Sequence, residues 1–122
     1  MTNNNKMRSE IKQMWLDALR SGEYKQGQKA LRTDDNFCCL GVLCDLHRKN
    51  SLCELNWLNF GKKNINSLQR YAGKEVSLPD IVINWSELNL HHIQNNILDK
   101  LADKNDSGST FEEIAEIIEA EL

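Results

Sequence analysis

Residues 19–46 of this chain read LRSGEYKQGQKALRTDDNFCCLGVLCDL, and this stretch decides the fold. Gly22 suits the left-handed position just past the end of a helix, so it ends a first helix. The apolar residues of 40–46 predict a second helix over 39–48, and Gly41 inside it indicates close packing by another backbone. Between the two helices, Thr33-Asp34-Asp35 predicts the turn of a short irregular hairpin.

The segments on either side of this stretch predict further helices and a small sheet. Before it, Ser9 is a candidate cap for a helix whose apolar stripe is Ile11, Met14, Trp15, Ala18 and Leu19. After it, alternation around Leu55 and Trp57 predicts a strand, and residues 61–64 predict a turn to a second strand. These middle segments would form a small antiparallel sheet.

The last third of the chain predicts three more helices. Leu78-Pro79 starts one, because proline is tolerated at the first helical position. Asn89 or a neighbour starts the next, which Asn105-Asp106-Ser107-Gly108 ends. The final helix starts at Ser109 or Thr110, with Glu112 and Glu113 able to complete a capping box. The last two helices would form an antiparallel hairpin.

Together these elements predict an α+β fold of about five helices packed with a small antiparallel sheet, with the segment Tyr24 to Phe37 draped at one edge. The 122 residues fit one domain over 9–122, preceded by a flexible N-terminus over 1–8. Residues 1–7 are polar and hold no apolar signal-peptide core, and no segment has the apolar length of a membrane helix. We therefore expect a cytoplasmic protein.

Charge is unevenly distributed along the chain. Residues 1–63 hold eleven Lys/Arg and seven Asp/Glu, whereas residues 64–122 hold four and eleven, for a net charge of −3. The asymmetry is explained either by attraction between the two halves or by an anionic partner of the first half. The acidic total makes duplex DNA an unlikely partner.

The cysteines are better explained by packing than by chemistry. Without an export signal, Cys38, Cys39, Cys44 and Cys53 are expected to be free thiols. Their spacing with His47 is poor for zinc, so no metal and no cofactor is predicted. A helix dipole would lower the pKa of Cys38 and Cys39, but no general base is evident, so a catalytic residue is not assigned.

Three motifs resemble a family of small proteins found in tailed phages and prophages. They are Trp15 to Gly22 with Tyr24-x-Gln26-Gly27, then Phe37 to Leu43, and finally Leu101 to Glu119 with its Asn105-Asp106-x-Gly108 core. The resemblance spans nearly the whole chain and implies a phage-type protein, without implying a settled activity. Lys29 differs from the pattern, since small residues are common at that position.

The candidate binding residues combine cations, an aromatic ring and hydrogen-bonding groups. They are Arg20, Tyr24, Lys25, Gln26, Lys29, Arg32, Asn105 and Asp106. The four cations would neutralise phosphate, Tyr24 would stack on a base, and the remaining three would make directional hydrogen bonds. Solvated surface cations and an ordinary helix-to-helix turn explain the same residues.

The leading functional hypothesis is a cytosolic small-molecule-binding protein without catalysis. Its ligand would be anionic and nucleotide-like, such as a nucleotide-derived host defence signal that the protein sequesters, and a homo-oligomer could build pockets between copies. One alternative is a protein-protein inhibitor or adaptor that contacts a host factor through Trp57, Phe60 or the acidic last helix. A second alternative is a small cysteine-dependent enzyme.

Overall fold

The computed structural model describes residues 7–52, 55–59, 68–88 and 97–122. Its helices are α1 Ser9–Ser21, α2 Cys39–Asn50, α3 Asp80–Ser86, α4 Ile97–Asp106 and α5 Phe111–Glu121. Its strands are β1 Lys25–Gln26, β2 Arg32–Thr33, β3 Asn36–Phe37, β4 Leu58–Asn59 and β5 Leu68–Arg70. The predicted α+β class is confirmed. No helix in these ranges is long and apolar enough to cross a membrane.

The sheet differs from the predicted one in its strands and its directions. Its order is β1-β3-β2-β5-β4, so residues 24–37 supply three strands instead of lying draped at an edge. The β2–β3 hairpin returns the chain between β1 and β2, which makes β1 and β3 parallel. The other pairs are antiparallel, and the sheet is therefore mixed. The turn predicted at 61–64 lies outside the described residues.

The core is built where α1, α2, α4 and α5 pack together. Trp15 is completely buried and its indole N–H donates to the Cys39 carbonyl at 2.9 Å, which fixes α1 on the start of α2. The predicted capping box is present, since Glu113 N–H donates to the Thr110 hydroxyl at 3.1 Å and Thr110 N–H to Glu113 at 2.8 Å. It starts α5 and turns it back beside α4.

Gly41 is required by the close backbone approach that the sequence predicts. A Cβ at this position would lie 1.8 Å from the Leu31 carbonyl oxygen. That same oxygen accepts the N–H of Cys38 at 3.1 Å. The segment before β2 is therefore held directly on the first turn of α2.

The N-terminal end of the domain and two helix starts differ in detail from the prediction. Ser9 is the first residue of α1 and does not cap it; Arg8 precedes the helix without a side-chain cap. Met7 is buried, and Arg8 N–H donates to the Ser86 carbonyl at 2.8 Å, so both residues of the expected flexible segment contact the domain. Pro79 precedes α3 as its cap residue instead of entering the first turn.

Candidate functional site

A buried asparagine joins three distant segments of the chain. Asn105 lies in the last turn of α4 and is completely buried. Its Oδ1 accepts from Gln26 Nε2 at 2.9 Å and from Cys39 N–H at 3.2 Å. Its Nδ2 donates to the Gly27 carbonyl at 2.8 Å and to Asp106 Oδ1 at 3.3 Å. These five residues form what we call the Asn105 network, in which the central carboxamide is fully satisfied.

The Asn105 network also fixes the loop after β1. Lys29 N–H donates to Asp106 Oδ1 at 2.8 Å, and Gln28 Nε2 donates to the Asn105 carbonyl at 3.4 Å. Lys29 has a φ of 69°, in the left-handed region that side chains disfavour. This conformation favours glycine, which has no Cβ, over lysine at the position. Gln26, Lys29, Asn105 and Asp106 are thus brought together, as the binding hypothesis requires.

A polar cleft opens beside this network. It has a volume of about 320 Å³ and lies between the β1 loop, at Gln26, Gly27 and Gln28, and the α4–α5 turn, at Gly108 and Ser109. The side chains of Lys25, in β1, and Lys29, in the loop after it, are exposed. Within the described ranges, neither lysine makes an ion pair. The segment that borders the cleft at Gln26, Gly27 and Gln28 is therefore preceded and followed by an exposed lysine.

Arg20 is occupied elsewhere, between α1 and α5. Its Nε lies 3.0 Å from Glu112 and its Nη2 lies 3.0 Å from Glu119. The hydrogen bonds to Glu119 and then to Glu112 raise the pKa of Arg20 above its usual value. Arg20, in the basic first half of the chain, is thus paired with two carboxylates of the acidic second half. For this residue, attraction between the two halves explains the uneven charge.

The side chains of Tyr24, Phe37 and Trp57 form an aromatic layer, and Arg32 contacts it. The ring of Tyr24 meets Phe37 edge-on at 5.0 Å, and Phe37 meets Trp57 at 5.8 Å. Lys49 Nζ lies 3.1 Å from the Tyr24 hydroxyl and 5.1 Å from the ring centroid, so a cation occupies the hydroxyl end of that ring. Arg32 lies over Phe37 at 4.9 Å and donates to the Asp34 carbonyl at 2.7 Å.

Trp57 is a core residue and not an exposed contact. It is 8% exposed, and its indole N–H donates to Asp45 at 3.0 Å. The burial of Trp57 therefore contradicts the hypothesis that this side chain contacts a host factor. Phe60, the other aromatic of that hypothesis, lies outside the described residues.

Asp45 is a buried carboxylate that was not predicted from the sequence. It is 3% exposed and accepts from the Tyr24 hydroxyl at 2.7 Å and from Arg48 Nε at 2.8 Å, besides Trp57. Burial alone would raise its pKa, but the hydrogen bonds from Arg48, Tyr24 and Trp57 outweigh it and hold the pKa below its ordinary value. We call Asp45, Tyr24, Arg48 and Trp57 the Asp45 cluster. The signal that could have revealed it is a single carboxylate inside the apolar segment 40–46.

The described thiols are packing groups. Burial raises the pKa of Cys38 to about 11 and the pKa values of Cys39 and Cys44 well above the usual range. The expected lowering of the Cys38 and Cys39 pKa values by the helix dipole is therefore wrong, because burial opposes the thiolate more strongly. Cys53 lies outside the described residues.

His47 is not placed to activate these thiols. It is buried on α2, its Nδ1 lies 2.7 Å from the Tyr71 hydroxyl, and burial lowers its pKa. Among the described residues, no group of three His, Cys, Asp or Glu side chains could hold a metal ion.

Comparison with known proteins places the chain in a family. No curated protein and no solved structure matches it. The family profile described as "Domain of unknown function (DUF8296)" matches residues 7–122, which cover all the helices and strands given above. The chain therefore belongs to the DUF8296 family.

Proposed function

We propose that this chain is a phage-type cytosolic binding protein that acts without catalysis and holds a small anionic ligand in the cleft beside the Asn105 network. The observation that carries the proposal is a pair of exposed lysines that make no ion pair with a described residue: Lys25 in β1, and Lys29 in the following loop that the network fixes. Two cations four positions apart attract anions, and a segment held before binding loses little entropy on binding.

The predicted binding residues divide into three groups under this proposal. Lys25 and Lys29 supply the charge, and Gln26, Gln28 and Ser109 line the cleft. Asn105 and Asp106 position the loop, because their hydrogen bonds go to the protein itself. Arg20, Tyr24 and Arg32 are engaged by carboxylates, aromatic rings and backbone, so they stabilise the fold.

The size of the cleft favours a compact ligand. Its volume of about 320 Å³ lies at the lower end of the range of about 300–1,000 Å³ for small-molecule sites. A phosphate with its attached sugar is a suitable part of a nucleotide-like ligand for this space. Sequestration of a nucleotide-derived host defence signal is the biological role that fits the phage resemblance.

Calorimetric titration and thermal unfolding with a defined panel test this proposal. The panel contains inorganic phosphate, nucleoside mono-, di- and triphosphates, and cyclic dinucleotides. At least one nucleotide should bind and raise Tm, and Lys25→Ala/Lys29→Ala should weaken its binding at least roughly tenfold. Lys74→Ala/Lys100→Ala, which removes two exposed lysines outside the cleft, should bind as the unaltered protein does.

Two results would reject the anionic-ligand proposal. One is a panel in which no member binds or changes Tm. The other is a Lys25→Ala/Lys29→Ala variant that binds the nucleotide with unchanged affinity. Chemical conversion of a bound nucleotide, followed by mass spectrometry, would instead favour an enzyme, against which the burial of the described thiols argues.

A further inference from the structure

An apolar groove lies at the opposite end of α4 from the Asn105 network. It has a volume of about 350 Å³. Leu40 is buried at its base, Leu78 and Ile83 come from the α3 side, and Leu98 and Ala102 come from α4. Ile83, Leu98 and Ala102 remain partly exposed, so apolar surface is open to a partner.

Carboxylates flank this groove on both sides. Asp80, in the first turn of α3, and Asp99, in the first turn of α4, are both exposed and line it. Val76, which is 57% exposed, extends the apolar surface at the rim. The stretch 75–88 that forms the α3 side contains three carboxylates and no lysine or arginine. The groove is therefore apolar at its base and negatively charged at its edges.

We infer that this groove docks a basic amphipathic helix of a partner protein. A helix that places apolar residues at i, i+3, i+4 and i+7 presents one stripe to such a groove, and lysines or arginines beside the stripe would meet Asp80 and Asp99. The charge complementarity selects this partner over an acidic one, because Asp80 and Asp99, which make no ion pair with a described residue, would repel an acidic helix. The ion pairs set orientation and partner choice, while apolar contacts supply most of the affinity.

The groove and the cleft are separate surfaces on one helix. The groove uses Leu98, Asp99 and Ala102 from the first six residues of α4, whereas the cleft is built around Asn105 in its last turn. Among the described residues, none lines both. The groove therefore provides partner binding in addition to ligand binding, and each can be removed without the other.

Fluorescence anisotropy with a labelled model peptide tests the groove. The probe is a helical peptide of about 14 residues, with leucines at the i, i+3, i+4, i+7 positions and lysines elsewhere. A second peptide carries glutamates in place of the lysines. The lysine peptide should bind the full chain, and the glutamate peptide should bind at least roughly tenfold more weakly.

Matched variants separate docking from simple attraction to an acidic protein. Asp80→Asn/Asp99→Asn should weaken binding of the lysine peptide roughly tenfold, whereas Glu23→Gln/Glu116→Gln, which removes two exposed carboxylates elsewhere, should not. Leu98→Ala should also weaken it, because the apolar contact is lost while the half-buried site still folds. A single cooperative thermal transition in each variant verifies folding.

Three outcomes would overturn the inference. The first is equal weakening by both carboxylate pairs, and the second is equal binding of the lysine and glutamate peptides. The third is a concentration-dependent dimer in sedimentation experiments that Leu98→Ala abolishes, since the occupant would then be a second copy of the chain.

Discussion

The Asn105 network and the Asp45 cluster satisfy buried polar side chains in two different ways. Asn105 is neutral and connects α4 to the backbone at Gly27 and Cys39. Asp45 is charged and is satisfied by three side chains, of which Tyr24 and Trp57 lie outside its own helix. The first arrangement fixes where a loop lies, whereas the second makes part of the stability depend on ionisation. The two regions should therefore fail under different conditions.

Replacing Asn105 should give the largest loss of stability. Asn105→Ala leaves the buried Cys39 N–H and the partly buried Gly27 carbonyl without their side-chain partner. Each unsatisfied group costs about 1–3 kcal/mol, so we expect a loss of about 3 kcal/mol in the free energy of unfolding. Urea denaturation measures it, with the exposed Asn84→Ala as the control, for which about 0.5 kcal/mol or less is expected. Equal values for the two variants would mean that the network contributes nothing.

Replacing Asp45 should cost less but should change the response to acid. Asp45→Asn removes the charge that Arg48, Tyr24 and Trp57 contact, and we expect a loss of about 2 kcal/mol at neutral pH. The folded pKa lies below the ordinary value of 3.8. The stability that ionisation contributes is therefore fully present above that value and is lost as pH falls through the folded pKa.

Denaturation at a series of acid pH values distinguishes the two regions. The unaltered protein and Asn105→Ala should lose stability with the same slope below the ordinary Asp45 pKa, and Asp45→Asn should lose less. If Asp45→Asn showed the unaltered slope, other carboxylates would account for the acid sensitivity.

Tyr24→Phe should give a smaller effect that tests whether Tyr24 is a structural residue. It keeps the ring against Phe37 but removes the hydroxyl donor to Asp45. We expect a loss of about 1 kcal/mol and a raised pKa for Asp45, visible as less stability lost on acidification. Nucleotide binding should be unchanged, because Asp45 already engages the hydroxyl that the substitution removes. A large loss of affinity would instead place the Tyr24 hydroxyl at the ligand site.

Arg20→Ala should have the smallest effect of these variants. Its partners Glu112 and Glu119 are exposed, so salt and water weaken the ion pairs. We expect a slight decrease in Tm at low salt that disappears at high salt, with nucleotide affinity unchanged. Weakened nucleotide binding at unchanged Tm would place Arg20 at the ligand site instead.

The helices and one packing contact could be predicted from the sequence because their signals are local. Apolar residues at three- and four-residue steps mark α1 and α5. Gly41 within a helix indicated a close backbone approach, and the structure shows that Leu31 makes it. The sheet could not be predicted in the same way. Its strands are two or three residues long, too short for alternation to show.

The roles of the candidate site residues depend on contacts that are distant in sequence. Gln26 and Asn105 are 79 positions apart, and an asparagine in a turn looks the same whether it binds a ligand or the protein's own backbone. Asp45 likewise gave no local signal of its partner Trp57, 12 positions away. The candidate residues could therefore be identified from the sequence. Only tertiary contacts distinguish the residues that hold the loop from those that are available to bind a ligand.

The central claim is that the Asn105 network holds residues 25–29 in place and that Lys25 and Lys29 bind an anionic ligand. Its most direct test is an NMR titration of the ¹⁵N-labelled chain with the nucleotide that gives the largest thermal shift. We predict that the largest amide shifts occur at residues 25–29 and at Gly108 and Ser109, with small changes around Asp45. Shifts confined to the aromatic layer or to the groove between α3 and α4 would contradict the claim.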